Sequence, residues 1–86
     1  MTEQQAELLV EYFDNVEEYE GTYSGRGMYG KSTHAVTCGS MGEFLEDIGN
    51  FICNDVDRID RSELNEIGKA ISGAQTDNMG HDIIIY

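Results

Sequence analysis

The sequence is short of positive charge. Five lysines and arginines face seventeen aspartates and glutamates, for a formal net charge of −12. Such a surface repels nucleic acid and anionic lipid, and it attracts basic surfaces, including the nucleic-acid-binding faces of other proteins. Neither direct nucleic-acid binding nor membrane binding is expected. There is no apolar run of about 18 residues, which excludes a bilayer-spanning helix. The opening stretch lacks a basic n-region and a cleavage signature, so a cytoplasmic location is expected. In that compartment Cys38 and Cys53 are reduced thiols, small and half-buried, rather than a disulfide. No proline, repeat or linker interrupts the 86 residues, which suit one small domain over 1–86. A chain this size buries only about 60–65% of its unfolded surface. Its core is therefore small, and a partner or a second copy (a homodimer) can help to cover it.

What is present reads as alternating helices and strands. Ala6, Leu9, Val10, Phe13 and Val16 recur at helical spacing and predict a helix from residue 2 to about 18, with Thr2 and Gln5 as a capping box and Gly21 as its end. Residues 21–31 are a glycine-rich loop, with a short strand at Thr22–Ser24. Residues 32–38 are β-prone and alternate, placing His34, Val36 and Cys38 on one face. Ser40 and Glu43 open a second helix with the stripe Met41, Phe44, Leu45, Ile48, Phe51 and Ile52. Gly49 weakens that helix by about 1 kcal/mol or admits a close neighbour. A third helix starts near Asp60, with Asp60 and Glu63 as a capping box, Ile59 and Leu64 as a staple, and Gly73 at C′. Three consecutive isoleucines in the last six residues predict a strand buried on both faces at the centre of a sheet. The fold class expected is a small single α+β domain of order α-β-α-α-β, a two- or three-stranded sheet against three helices. Strand direction is left open. The predicted core is Leu9, Phe13, Val36, Phe44, Ile48, Ile52, Leu64, Ile67, Ile71 and Ile84.

The stretch "GRGMYGKS" satisfies two nucleotide-binding patterns at once. Gly25, Gly30, Lys31 and Ser32 match the P-loop, and Gly25, Gly27 and Gly30 match the dinucleotide fingerprint. Both need a strand before the loop and a helix after it. Here an acidic helix precedes it and the β-branched run Thr33–Thr37 follows, so neither reading stands. A kinase-type glycine loop does lie between strands, but its catalytic apparatus does not fit in this length. Arg26 and Lys31 are nevertheless the only cations in the first 57 residues. With Met28 and Tyr29 they form either a contact-making island or a turn whose glycines supply positive φ.

The acids carry the stronger signal. Glu3, Glu7 and Glu11 run at i, i+4, i+8, followed by Asp14, Glu17, Glu18 and Glu20, with no lysine or arginine among residues 1–25. Each like-charge i, i+4 pair costs a helix roughly 0.2–0.5 kcal/mol. The seventeen or so residues of the expected helix span about 26 Å, so its charges fall about every 4 Å, close to the roughly 3.4 Å of phosphates along one DNA strand. Carboxylates so spaced can occupy a groove built for phosphates. A second cluster, Asp55, Asp57, Asp60, Glu63 and Glu66, resembles a calcium loop only in part. Ile59 stands where a ligand belongs and Asp60 where glycine is required. Arg58 and Arg61 lie within it, so local ion pairs are expected instead.

His34, Cys38, Cys53 and His81 have the chemistry of a zinc site but no C-x2-C clasp, and no metal or other cofactor is expected. A His34–Cys38 nucleophile pair lacks an orienting third group. No convergent acid, base and nucleophile set is evident, so an enzyme is not expected.

"SGRGMYGK" followed by Cys38, with "DNMG" running into "IIIY", resembles small proteins of phages and mobile elements. The matching positions are Gly25, Arg26, Gly27, Met28, Tyr29, Gly30, Cys38, Asp77, Met79, Gly80 and Tyr86, and the resemblance covers about a quarter of the chain. Size and acidity also resemble anti-CRISPR and other anti-defence proteins, some of which imitate DNA. That resemblance implies a non-enzymatic inhibitor in the host cell cytoplasm. Its acidic helix would bind a basic nucleic-acid-handling protein such as a CRISPR effector. Two alternatives stand beside it. One is a nucleotide-signal sponge holding its ligand with Arg26, Met28, Tyr29 and Lys31. The other is a phage structural or assembly subunit.

Overall fold

The computed structural model describes residues 1–19, 34–76 and 82–85. The protein is an α+β domain of three helices and a four-stranded antiparallel sheet. In chain order the elements are α1 (Glu3–Tyr12), β1 (Val16–Glu18), β2 (Val36–Cys38), α2 (Met41–Asn54), α3 (Arg61–Ile71), β3 (Ala74–Thr76) and β4 (Ile83–Ile85). The sheet order is β1-β2-β4-β3. The strands number four rather than two or three, because β1 and β3 arise where no strand was expected. The Thr22–Ser24 strand lies outside the described residues, and the first helix ends at Tyr12 rather than at Gly21.

The opening helix forms as its capping box requires. The Thr2 hydroxyl accepts from the Gln5 N–H at 3.1 Å, and the Gln5 side chain accepts from the Thr2 N–H at 3.0 Å. The helix stops at Tyr12, well short of residue 18, and Phe13 is already extended at φ −109° and ψ 129°. Asp14 and Asn15 are turn-forming residues, and α2 holds this turn in place. Asp47, 2% exposed, accepts from the Asn15 backbone N–H at 2.9 Å and from its side-chain amide at 2.8 Å. Beyond the turn, Val16, Glu17 and Glu18 pair with Cys38, Thr37 and Val36. A continued helix would have stacked Asp14, Glu17 and Glu18 at i, i+3, i+4. A strand sends Glu17 and Glu18 to opposite faces.

The central strand follows its isoleucines. β4 pairs antiparallel with β2 on one side and β3 on the other, and Ile83, Ile84 and Ile85 are all buried. Register assigns the faces. Val16, Val36, Cys38, Ile83, Ile85 and Ala74 belong to the helix-covered core. Glu17, Thr37, Ile84 and Gln75 stand opposite one another on the other face. β2 is shorter than predicted, with His34 and Ala35 preceding it.

The helices complete the core. Leu9, Phe13, Phe44 and Ile67 are buried in it as expected, and Ile48, Leu64 and Ile71 pack half-buried against it. Ala6, Leu8, Phe51 and Ala70 join them. Phe13 is the aromatic hub, its ring centroid 6.2 Å from Phe44 and 5.7 Å from Phe51. These are favoured tilted geometries. Tyr12 meets Phe51 edge-on at 5.6 Å. Two expectations are corrected. Ile52 is 59% exposed rather than core, and Val10 lies on the outer side of α1 at 43%.

The helix starts at residues 40 and 60 are where they were expected, with different chemistry. The Ser40 hydroxyl accepts from the Glu43 N–H at 3.1 Å. Asp60 is an N-cap by position but makes no side-chain cap bond, and its carboxylate accepts from the Ser62 hydroxyl instead, at 2.6 Å. Gly73 follows the Ser72 C-cap, its N–H donating to Ala70 O at 3.0 Å. Gln5 on α1 donates to Glu66 on α3 at 3.0 Å, tying the two helices.

Replacing Asp47 tests the turn clamp. Asp47→Ala removes two charge-assisted bonds and is expected to lower unfolding free energy by about 2–3 kcal/mol. Asp47→Asn is expected to lose less than Asp47→Ala, because a flipped Asn15 amide can still pair with it. Urea unfolding followed by circular dichroism measures both.

Candidate acidic interface

Three carboxylates of α1 share its outer face. Each step of four residues turns a helix by about 40°, so Glu3, Glu7 and Glu11 fan across one side, with exposed Val10 beside them. Glu3 faces the favourable positive end of the helix dipole. Glu11 sits in the last turn, where that dipole disfavours an anion and no basic residue is present. Asp14 is exposed in the turn, and Glu17 and Glu18 are exposed on edge strand β1. Glu20 lies outside the described residues.

The acids thus do not form one helical ruler. A ten-residue α1 is only about 15 Å long, and the chain bends into β1 after it. The match to phosphate spacing along a single helix is therefore withdrawn. The lack of compensation remains. Among the described residues the ion pairs are Arg58–Asp55 and Lys69–Glu66, each at 3.3 Å. None of Glu3, Glu7, Glu11, Asp14, Glu17 and Glu18 takes part in either.

The strand acids also border a cleft. Glu17, Glu18, Tyr19, Thr37 and Asp82 line a space of about 340 Å³. The antiparallel pairing of β2 with β4 brings Asp82, one residue before β4, toward the β1–β2 hairpin pairing. Tyr19 continues that pairing, its N–H donating to Ala35 O at 2.9 Å. The Thr37 hydroxyl donates to Ile83 O at 3.2 Å. Glu17 shares a face with Thr37 there, and an acidic opening of this kind suits an ammonium or guanidinium group. The contributions of Tyr19, Thr37 and Asp82 went unnoticed in the sequence, because only strand register unites them.

The second acidic cluster behaves as a local network. Arg58 donates to Asp55 and, at 2.8 and 3.1 Å, to the Asn54 carbonyl at the end of α2. Glu66 binds Lys69 and Gln5. Tyr12 feels the surrounding charge. Partial burial first, then the Glu11, Glu63 and Asp55 carboxylates, push its phenol above the ordinary value near 10, with Arg58 opposing.

Cys38 and Cys53 are free, the first buried and the second exposed, which corrects the half-buried expectation for both. Burial pushes the Cys38 thiol up, and its Sγ lies 3.7 Å from Ser40 O. No three His, Cys, Asp or Glu side chains gather as metal ligands among the described residues, and His81 lies outside them. Arg26, Met28, Tyr29 and Lys31 lie outside them as well, as do Asp77, Met79, Gly80 and Tyr86. No helix among the described residues is long and apolar enough to cross a membrane. Neither protein-family models, nor curated proteins, nor solved structures yield a match to the chain.

Two measurements probe this electrostatic environment. A phenol raised on folding favours the folded state fully below its unfolded value near pH 10, and this is lost as pH rises through the folded value. Tyr12→Phe is expected to flatten that alkaline decline in melting temperature. Cys53 is expected to react with a thiol reagent at neutral pH at least ~10-fold faster than Cys38, the difference vanishing in urea. Mass spectrometry of alkylated peptides resolves the two.

Proposed function

We propose that the protein is a non-enzymatic inhibitor that docks its acidic surface, α1 together with β1, on a basic nucleic-acid-binding surface of a host defence complex such as a CRISPR effector. The observation that supports this is the uncompensated charge from Glu3 to Glu18. Six exposed carboxylates occupy one helix, one turn and one edge strand, and none is neutralised by a cation among the described residues. Mutual repulsion of this kind destabilises the free protein. A lysine- and arginine-rich counterpart relieves it and gains fast, steered association. The acidic cleft that Glu17 and Asp82 border suits one cationic side chain of that partner. Once seated, the protein excludes DNA or RNA from the same groove, so inhibition is stoichiometric and competitive with nucleic acid.

The test uses purified CRISPR effector complexes and a labelled target DNA. The wild-type protein is expected to block DNA binding at near-equimolar ratios, with potency falling as salt rises. Reversing Glu7, Glu11, Glu17 and Glu18 to lysine changes only exposed positions and leaves the core untouched. Affinity is expected to fall at least ~10-fold, since close interfacial charges couple strongly. Equal inhibition by the folded reversal variant overturns the docking reading.

A further inference from the structure

The strand order leaves β1 at one edge of the sheet, and its register fixes which backbone groups that edge offers. In an antiparallel ladder, residues that exchange hydrogen bonds with the neighbouring strand alternate with residues whose N–H and C=O point away from it. The Tyr19 N–H donates to Ala35 O at 2.9 Å. Tyr19 and, two residues earlier, Glu17 therefore direct their backbone groups at β2, and Val16 and Glu18 turn theirs outward. Among the described residues no strand pairs with that outer side. An open row of donors and acceptors is a template for another strand.

The side chains select which strand. Glu17 and Glu18 are both exposed and stand on opposite faces of the edge. Neither takes part in the ion pairs among the described residues. A strand laid against β1 thus meets one carboxylate on each face of the sheet. A second copy of β1 would set glutamate against glutamate, and like charges directly opposite are destabilising. Two consecutive lysines or arginines fit instead, because consecutive side chains of a strand point to opposite faces, one to Glu17 and the next to Glu18. The other edge, β3, consists of Ala74, Gln75 and Thr76 and has no charge with which to select.

We infer that β1 accepts an extended cationic segment of the partner protein as a fifth strand, paired through the Val16 and Glu18 backbone, with adjacent lysines or arginines against Glu17 and Glu18. This pairing rests on the docking reading above and gives its partner a form. Three residues anchor only a short stretch, so the added strand sets the register of a larger contact that α1 completes.

The probe is an eight-residue peptide of valine and threonine with two arginines at its centre. Its control is the same peptide with the four central amides N-methylated, which keeps the charge and removes the donors. Calorimetric titration of the full chain is expected to show the unmethylated peptide binding at least ~10-fold tighter. Amide exchange followed by NMR is expected to slow at the Glu18 N–H when that peptide is bound. Glu18→Pro removes the outward N–H and leaves the β1–β2 ladder intact, since an edge strand accepts proline where the nitrogen faces outward. It is expected to weaken the peptide at least ~10-fold more than Glu18→Gln, which loses the same charge and keeps the donor. Should Glu18→Pro unfold, the two peptides against the wild-type chain decide. Equal affinity of both peptides, still falling as salt rises, overturns strand addition and leaves the charge reading of α1 and β1 standing. Failure of the unmethylated peptide to bind also overturns it, whereas the docking reading falls only by the effector assay.

Discussion

The arrangement depends on one buried carboxylate. Asp47 has no cationic partner among the described residues and is held by two N–H donors of Asn15. A buried charge is tolerated only when its hydrogen bonds are made, so the turn between α1 and β1 must come to α2. That requirement ends the first helix, directs Phe13 inward against Phe44 and Phe51, and lays Val16 on the sheet beside Cys38. It also decides where the acids go. With the chain bent at Asn15, Glu3, Glu7 and Glu11 occupy a helix face, while Glu17 and Glu18 reach the edge of the sheet.

The acidic surface is arranged against local stability rather than for it. Glu11 opposes the dipole at the end of α1, and neither α1 nor α2 has a basic residue in its last turn. By contrast α3 carries Lys69 there and pairs it with Glu66. Among the described residues, charge compensation is present in α3 and absent along α1 and β1. Burial of Ala6, Leu8 and Leu9 and the Thr2–Gln5 box supply what α1 needs without it.

Legibility in the sequence followed the strength of local signals. The starts of α2 and α3 were readable because Ser40 and Asp60 sit before periodic apolar runs. β4 was readable because three adjacent isoleucines fit a strand covered on both sides. The end of α1 was not, because Leu9, Phe13 and Val16 fall at helical spacing while a contact 32 residues away sets the backbone. β3 was hidden in Ala-Gln-Thr, which has no apolar alternation. Ile52 was read as core because periodicity marks an apolar stripe without saying how much of it the fold covers. Exposure of the α1 and β1 acids was legible from their charge. Their meeting with Tyr19 and Asp82 was not, since strand register decides it.

The central strand sets a condition on how the protein is made. β4 is hydrogen-bonded to both β2 and β3, and its partner residues in β2 lie more than forty positions earlier. Until residues 83–85 have left the ribosome, β2 and β3 have no common neighbour and the apolar side of the sheet stays open. Like charge repels like, so the dense negative charge of the first twenty residues disfavours association between chains whose sheet is still open.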